Sequence, residues 1–261
     1  MKSNLQKQTW LKVINPEVED RLGRARHALF DFDGTLSVLR QGWEPVMEAV
    51  MLASISPGQE PGPELVAEIR DYIDASTGQL TILQMTWLVE AVGRYGRVAH
   101  PLTPAGYKAR YLEALMVSVS LRLQRLENGQ TPAQDFLLAG TLDFLNALAS
   151  RGVRMYLASG SDHPDVVREA AALGLAPFLS GGIYGALDAS ETNAKERIIQ
   201  RILDDQRLEG DELVVIGDGP VEIIEARKHG AIALGIASDE VARSGWNENK
   251  IERLNRSEQT C

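Results

Sequence analysis

The sequence predicts an α/β fold, a parallel sheet interrupted by an α-helical insert, and three observations predict it. Short apolar runs rich in β-formers occur at 27–32 (HALFDF), 153–159 (VRMYLAS), 213–218 (LVVIGD) and 231–237 (AIALGIA), with a weaker one at 181–187 (GGIYGAL). Their apolar character is continuous rather than alternating, which marks strands covered on both faces, and helix-like segments lie between them as crossovers. About 120 residues separate the first run from the second, whereas a crossover needs only about a dozen.

Taken in order, the first twenty residues, MKSNLQKQTWLKVINPEVED, carry lysines but no apolar signal core. No later run approaches the roughly 18 apolar residues of a membrane span, so a cytoplasmic protein without membrane attachment is expected. After the first strand come helical segments at 44–54, 63–76, 80–96 and 104–128, punctuated by SPGQEPGP and HPLTP. A helical insert of roughly 90 residues can bury a core of its own. The expected division is therefore an α/β core of 1–37 and 132–261 and a helical domain of 38–131.

Composition excludes some partners. With 44% hydrophobic and 24% charged residues, the 261-residue chain has the make-up of an ordinary globular protein. A formal net charge of -9 argues against nucleic-acid binding, which depends on Lys and Arg neutralising phosphates. An anionic ligand would need a local cation. The single cysteine, Cys261, has no partner for an internal disulfide, consistent with a reducing compartment.

In open parallel sheets, ligands bind beyond the carboxyl ends of the strands, and that is where the chain places its polar residues. Asp31 and Asp33 end the first strand, Ser159 the second, and Asp218 with Glu222 a later one, while Lys195 opens the helix before it. Two residues apart on an extended segment, Asp31 and Asp33 point to the same side, and Gly34 lets the chain turn away. The stretch GDGPVE contains G-x-G but lacks the third glycine of a dinucleotide fingerprint and the GK[ST] of a P-loop. His27, His100, His163 and His229 show no metal-ligand spacing; His163 reads as a helix-start residue.

These residues form four short motifs in order: DFDGT (31–35), Ser159 after MYLA, Lys195, and GDGPVE (217–222). In that pattern the chain resembles the haloacid dehalogenase superfamily over about residues 25–36 and 136–240, and the helical insert sits where that superfamily places a C1 cap over its Rossmann-like core. The resemblance implies an aspartyl-phosphate mechanism, with Asp31 as nucleophile and Asp33 as the acid that protonates the leaving oxygen and then activates water. It implies Mg²⁺ held by the Asp31 carboxylate, the Asp33 carbonyl and Asp218, with Glu222 acting directly or through water. Ser159, Gly160 and Lys195 would hold the phosphoryl oxygens, helped by backbone N–H groups at a helix start capped by Ser161 or Asp162 with Pro164 in its first turn. Thr35 would belong to the same phosphate site and hydrogen-bond locally to hold the loop.

Dehalogenases lack the second aspartate and phosphonatases carry a small residue there, so Asp33 favours phosphate esters. The expected activity is a Mg²⁺-dependent phosphatase acting on a small phosphorylated metabolite, such as a sugar phosphate. The alternatives are a phosphomutase of the β-phosphoglucomutase type and a non-catalytic phosphometabolite-binding protein. Near the insert, Arg40 and Trp43 either face the substrate or are an exposed arginine and a core tryptophan, and Thr77, Gln79 and Gln84 are candidate pocket residues. Many superfamily members run on into another strand where this chain stops at NRSEQTC, which implies a shorter sheet edge or a disordered tail.

Overall fold

The structure is a computed structural model that describes residues 10–187 and 194–258; Cys261 lies outside them. Helix α1 (Val18–Arg21) leads into β1 (His27–Phe30), and the chain then leaves the sheet for α2 (Trp43–Ile55), α3 (Pro63–Ala75), α4 (Thr81–Tyr95) and α5 (Pro104–Glu127). It returns through α6 (Thr141–Ser150) to β2 (Arg154–Asp162), α7 (His163–Ala172), β3 (Gly182–Ala186), α8 (Ala194–Gln206), β4 (Leu213–Gly217), α9 (Pro220–Lys228), β5 (Ile232–Gly235) and α10 (Glu248–Glu258). The sheet is five-stranded and parallel in the order β3-β2-β1-β4-β5. All five predicted strands and all four predicted insert helices are present.

Both faces of the sheet are buried, which is why the strands read as continuous apolar runs. Ala28, Phe30, Met155, Leu157 and Ile216 pack with Leu145 of α6 and Val166 and Ala170 of α7. The intervening Leu29, Tyr156, Ala158 and Val215 turn the other way, onto Ile199, Ile202 and Leu203 of α8. Phe30 lies opposite Leu157 on one side and Ile216 on the other, so β1 is central and its end is flanked by the ends of β2 and β4.

The inserted helices follow from their periodicity. Tyr107, Tyr111, Leu115, Val119 and Leu123 of α5 recur every four residues and are all buried, as are Leu65, Ile69 and Ile73 of α3. Pro63 and Pro104 stand in the first turn, where the missing N–H costs nothing, and the Thr103 side chain accepts from Gly106 N. Tyr72 stacks on Trp87 at 3.8 Å between ring centroids, joining α3 to α4. Among the described residues no helix is long and apolar enough to cross a membrane.

The outgoing and returning chain passages pair with each other. Ser37 bridges Leu137, Val38 N donates to Phe136 O at 2.9 Å, and Leu138 N donates to Leu36 O at 3.1 Å. Just beyond, Arg40 is buried against Glu169 of α7, its Nη2 and Nε donating at 2.6 and 3.0 Å, with Asp165 Oδ2 at 3.5 Å. Arg122 of α5 donates to the carbonyls of Leu39 and Gln41, both at 2.8 Å.

Two expectations are corrected. Strand β2 runs past Ser159 to Asp162, and α7 starts at His163 with no side-chain cap, because its N-cap residue is Asp162, whose carboxylate is drawn to Lys108 of α5. At the C-terminus the described sheet does end at β5, the shorter edge expected, but the segment through residue 258 is no irregular tail: it is α10, packed against α9.

A buried ion pair broken on one side leaves an uncompensated charge. Glu169→Ala is expected to lower the unfolding free energy by about 3–5 kcal/mol in urea denaturation, whereas the apolar double replacement Arg40→Met/Glu169→Leu is expected to recover most of the loss. A Glu169→Ala loss below about 1 kcal/mol, the size of a surface pair, would contradict this reading.

Candidate active site

The site forms where the central strand ends. Asp31 follows β1 directly, its N–H donating to Ile216 O of β4 at 2.7 Å, and Phe32 turns into the core fully buried. Asp31 and Asp33 therefore face the same cleft, as their spacing predicts. The chain then turns at Gly34, whose φ of +74° suits glycine and where a Cβ would stand 2.5 Å from Asp218 Oδ2. The turn is held by backbone: Phe32 O accepts from Thr35 N, Leu36 N and Ser37 N at 3.3, 2.9 and 3.0 Å. Thr35 is buried and its hydroxyl has no hydrogen-bond partner among the described residues, so the local side-chain bond expected of it is absent. The backbone already supplies what that bond would have done.

Lys195, in the first turn of α8, reaches Asp31, Nζ donating to Oδ1 at 2.6 Å. The same ammonium is ion-paired with Glu222 in the first turn of α9. All three side chains are buried. Burial raises the Asp31 pKa above the ordinary carboxylate value; Lys195 opposes this, and the nearby negative charge of Asp218 adds to it. For Asp33, burial again leads and raises the pKa well above the ordinary value; Arg40 opposes it, and Glu169, Asp31 and Glu240 reinforce it. Asp33 Oδ1 has no hydrogen-bond partner among the described residues. A carboxyl group in such surroundings favours its proton-bearing form.

Ser159, Gly160 and Ser161, at the end of β2, line the same cleft. From the insert side come Trp43 at the start of α2, Tyr111 of α5, and the 76–80 loop between α3 and α4. That loop lies against the base of the site: Gly78, at φ +88°, has no room for a Cβ, which would stand 2.6 Å from Glu222 Oε1. Thr77 and Gln79 line the cleft, as does Gln84, whose amide donates to Ser76 Oγ at 3.0 Å and so braces the loop. Trp43 is half-buried at the rim. Arg40 is neither exposed nor free: it lines the cleft with its charge taken by Glu169. His163 starts α7 and its Nδ1 accepts from Gly185 N at 3.3 Å, as befits a helix-start residue.

Asp218 is close enough to Asp31 for its negative charge to raise the Asp31 pKa. Their carboxylates are hard-oxygen donors, the type that suits a small divalent cation. The Glu222 carboxylate meets Lys195, as the Asp31 carboxylate does, and among the described residues no three His, Cys, Asp or Glu side chains form a metal-binding group.

The sequence reading missed the cations that α10 brings to this edge. Lys250 Nζ lies 2.7 Å from both Asp218 Oδ2 and Glu240 Oε1 and donates to Gly34 O at 3.2 Å. Arg253 Nη2 donates to Asp218 O at 3.0 Å and lies 3.3 Å from Asp218 Oδ2, while its Nη1 donates to Thr77 Oγ1 at 3.2 Å and sits 3.4 Å from Asp74 of α3. The available signal was the spacing of Lys250, Arg253 and Arg256, three apart and therefore on one helix face.

A family model described as haloacid dehalogenase-like hydrolase matches residues 25–230. A search of curated protein sequences gave no match. Among solved structures, a predicted phosphoglycolate phosphatase from Haemophilus somnus is similar at a TM-score of 0.59 and 15% identity, covering 90% of this chain and 91% of that one. A predicted phosphatase from Clostridium acetobutylicum follows at 0.55 and 15%, covering 89% and 90%. A haloacid dehalogenase-like protein of unknown function from Agrobacterium tumefaciens gives 0.55 and 19%, covering 89% and 90%. The family match spans the four motifs now seen at one sheet edge, and the chain belongs to the haloacid dehalogenase-like hydrolases.

Proposed function

We propose that the chain is a Mg²⁺-dependent phosphatase that hydrolyses a small phosphorylated metabolite through an aspartyl-phosphate on Asp31. The observation that carries this reading is the pairing of two differently placed carboxyls: Asp31 bound to Lys195 at 2.6 Å, and Asp33 raised well above the ordinary pKa beside it. Two groups with separate protonation tasks in one cleft are what acid-assisted nucleophilic transfer needs.

In this mechanism an Asp31 carboxylate oxygen attacks phosphorus as the ester P–O bond breaks, and Asp33 gives its proton to the departing oxygen. The Asp33 carboxylate then takes a proton from water, the water oxygen attacks phosphorus, and the bond to Asp31 breaks to release inorganic phosphate and restore both residues. Lys195 holds Asp31 at the attacking position, and Ser159 and the backbone N–H of Gly160 receive the phosphoryl oxygens. The Asp31 and Asp218 carboxylates and the Asp33 carbonyl would hold Mg²⁺, which when bound offsets negative charge on the phosphoryl group. Residues 38–131 serve as a cap over a core of 1–37 and 132–261, the 76–80 loop excluding bulk water from the cleft.

The insert side of the cleft favours an uncharged, hydroxylated substrate body. Among the described lining residues Arg40 is the one cation, and Glu169 already holds it. Thr77, Gln79 and Gln84 offer neutral donors and acceptors. A carboxylated substrate of the kind named for the Haemophilus somnus protein would need a free cation there.

Hydrolysis of p-nitrophenyl phosphate is expected to depend on Mg²⁺ and to fall by about a thousand-fold or more in Asp31→Asn. A folded wild type with no turnover of any phosphate would favour a binding protein. In a panel of phosphometabolites, neutral sugar phosphates are expected to give kcat/KM at least about ten-fold above phosphoglycolate, roughly the 1.4 kcal/mol of one unmatched polar contact. Preference for phosphoglycolate would reverse the substrate assignment, and rearranged sugar phosphate without free phosphate would identify a mutase.

A further inference from the structure

Helix α10 places two buried cations on the carboxylate that ends β4, and the motif-based mechanism gives them no task. Lys250 and Arg253 are 5% and 4% exposed, and both touch Asp218. Lys250 is enclosed by Asp218 Oδ2, Glu240 Oε1 and the Gly34 carbonyl, which leaves its ammonium at the turn that follows Asp33. Arg253 continues from Asp218 to Thr77 and Asp74, and Arg256 also bonds Asp74, at 2.6 Å. One helix thus grips the base of the site and the loop that covers it.

We propose that Lys250 is a built-in counter-ion of Asp218 that weakens the site's hold on its divalent cation, competing for the same carboxylate charge. This rests on the reading of the site as divalent-cation-dependent. A carboxylate already sharing its charge with an ammonium at 2.7 Å offers less to a second positive ion, and the two cations repel each other across a poorly screened, buried space. Glu240 tempers the competition by taking part of the ammonium's charge. Lys250 is therefore a positioning and tuning residue, acting on the metal through Asp218, and Arg253 links the same carboxylate to the covering loop.

The test is Mn²⁺ binding to the full-length chain, read by electron paramagnetic resonance of free Mn²⁺ and by the rise in Tm that Mn²⁺ produces. Lys250→Gln is expected to bind Mn²⁺ at least about ten-fold more tightly than wild type, Lys250→Arg to restore wild-type affinity, and Asp218→Asn to lose binding. Glu240→Gln, which leaves the Lys250 ammonium wholly to Asp218, is expected to weaken binding several-fold, and it carries the test if Lys250→Gln does not fold. Asp218-dependent binding that is unchanged or weaker in Lys250→Gln, or unchanged in Glu240→Gln, would overturn the inference while leaving the phosphatase reading intact. No Asp218-dependent Mn²⁺ binding in any of these proteins would overturn both.

Discussion

Everything at the sheet edge depends on holding negative charge out of water. Asp31, Asp218, Glu222 and Glu169 are all buried, and an isolated buried carboxylate is so costly that it either neutralises or acquires a partner. Here the partners are Lys195 for Asp31 and Glu222, Lys250 and Arg253 for Asp218, and Arg40 for Glu169. Asp33 has no such ion-pair partner among the described residues; its Oδ1 has no hydrogen-bond partner there either, and burial raises its pKa well above the ordinary value. The difference between Asp31 and Asp33 is thus a difference in compensation: burial raises the pKa of both, and Lys195 opposes the rise at Asp31 through a direct hydrogen bond that Asp33 lacks.

The compensating cations come from distant parts of the chain, which makes the site a meeting point for the whole fold. Lys195 arrives on α8, Lys250 and Arg253 on α10, and Arg40 on the passage into the insert, while the apolar faces of the sheet bring the helices close enough to reach. Close approach also decides where side chains are forbidden. Gly34 and Gly78 leave room for Asp218 and Glu222, so the loop after β1 and the loop from the insert can rest directly on the acidic base. Packing and electrostatics are one problem at this edge.

Much of the fold was legible because buried strands and amphipathic helices write themselves locally. The run HALFDF is apolar on both alternations because Phe30 and Leu29 face different helical layers, and α5 announces itself by buried residues every four positions. The paired aspartates, Lys195 and Asp218 were legible for a related reason: each sits just past a strand end or in a first helical turn, where the chain's own punctuation marks it, and Ser159 closes the apolar run of a strand that continues to Asp162. Lys250 and Arg253 were not legible as site residues. A basic stripe on a charged helix ordinarily reads as a solvated face, and only the docking of α10 beside α9 turns it toward Asp218.

The sequence by itself determined a parallel α/β sheet with a helical insert and the order of its acidic and basic motifs, because periodicity, strand-end placement and two-residue spacing are properties of neighbouring residues. Tertiary structure decided which charge meets which: that Arg40 is taken by Glu169, that Glu222 faces Lys195, that Asp162 serves Lys108 and not its own helix, and that the last helix reaches the first loop. Those pairings join residues as far apart as Gly34 and Lys250. Each charge has several candidate partners along the chain, and only packing in three dimensions chooses among them.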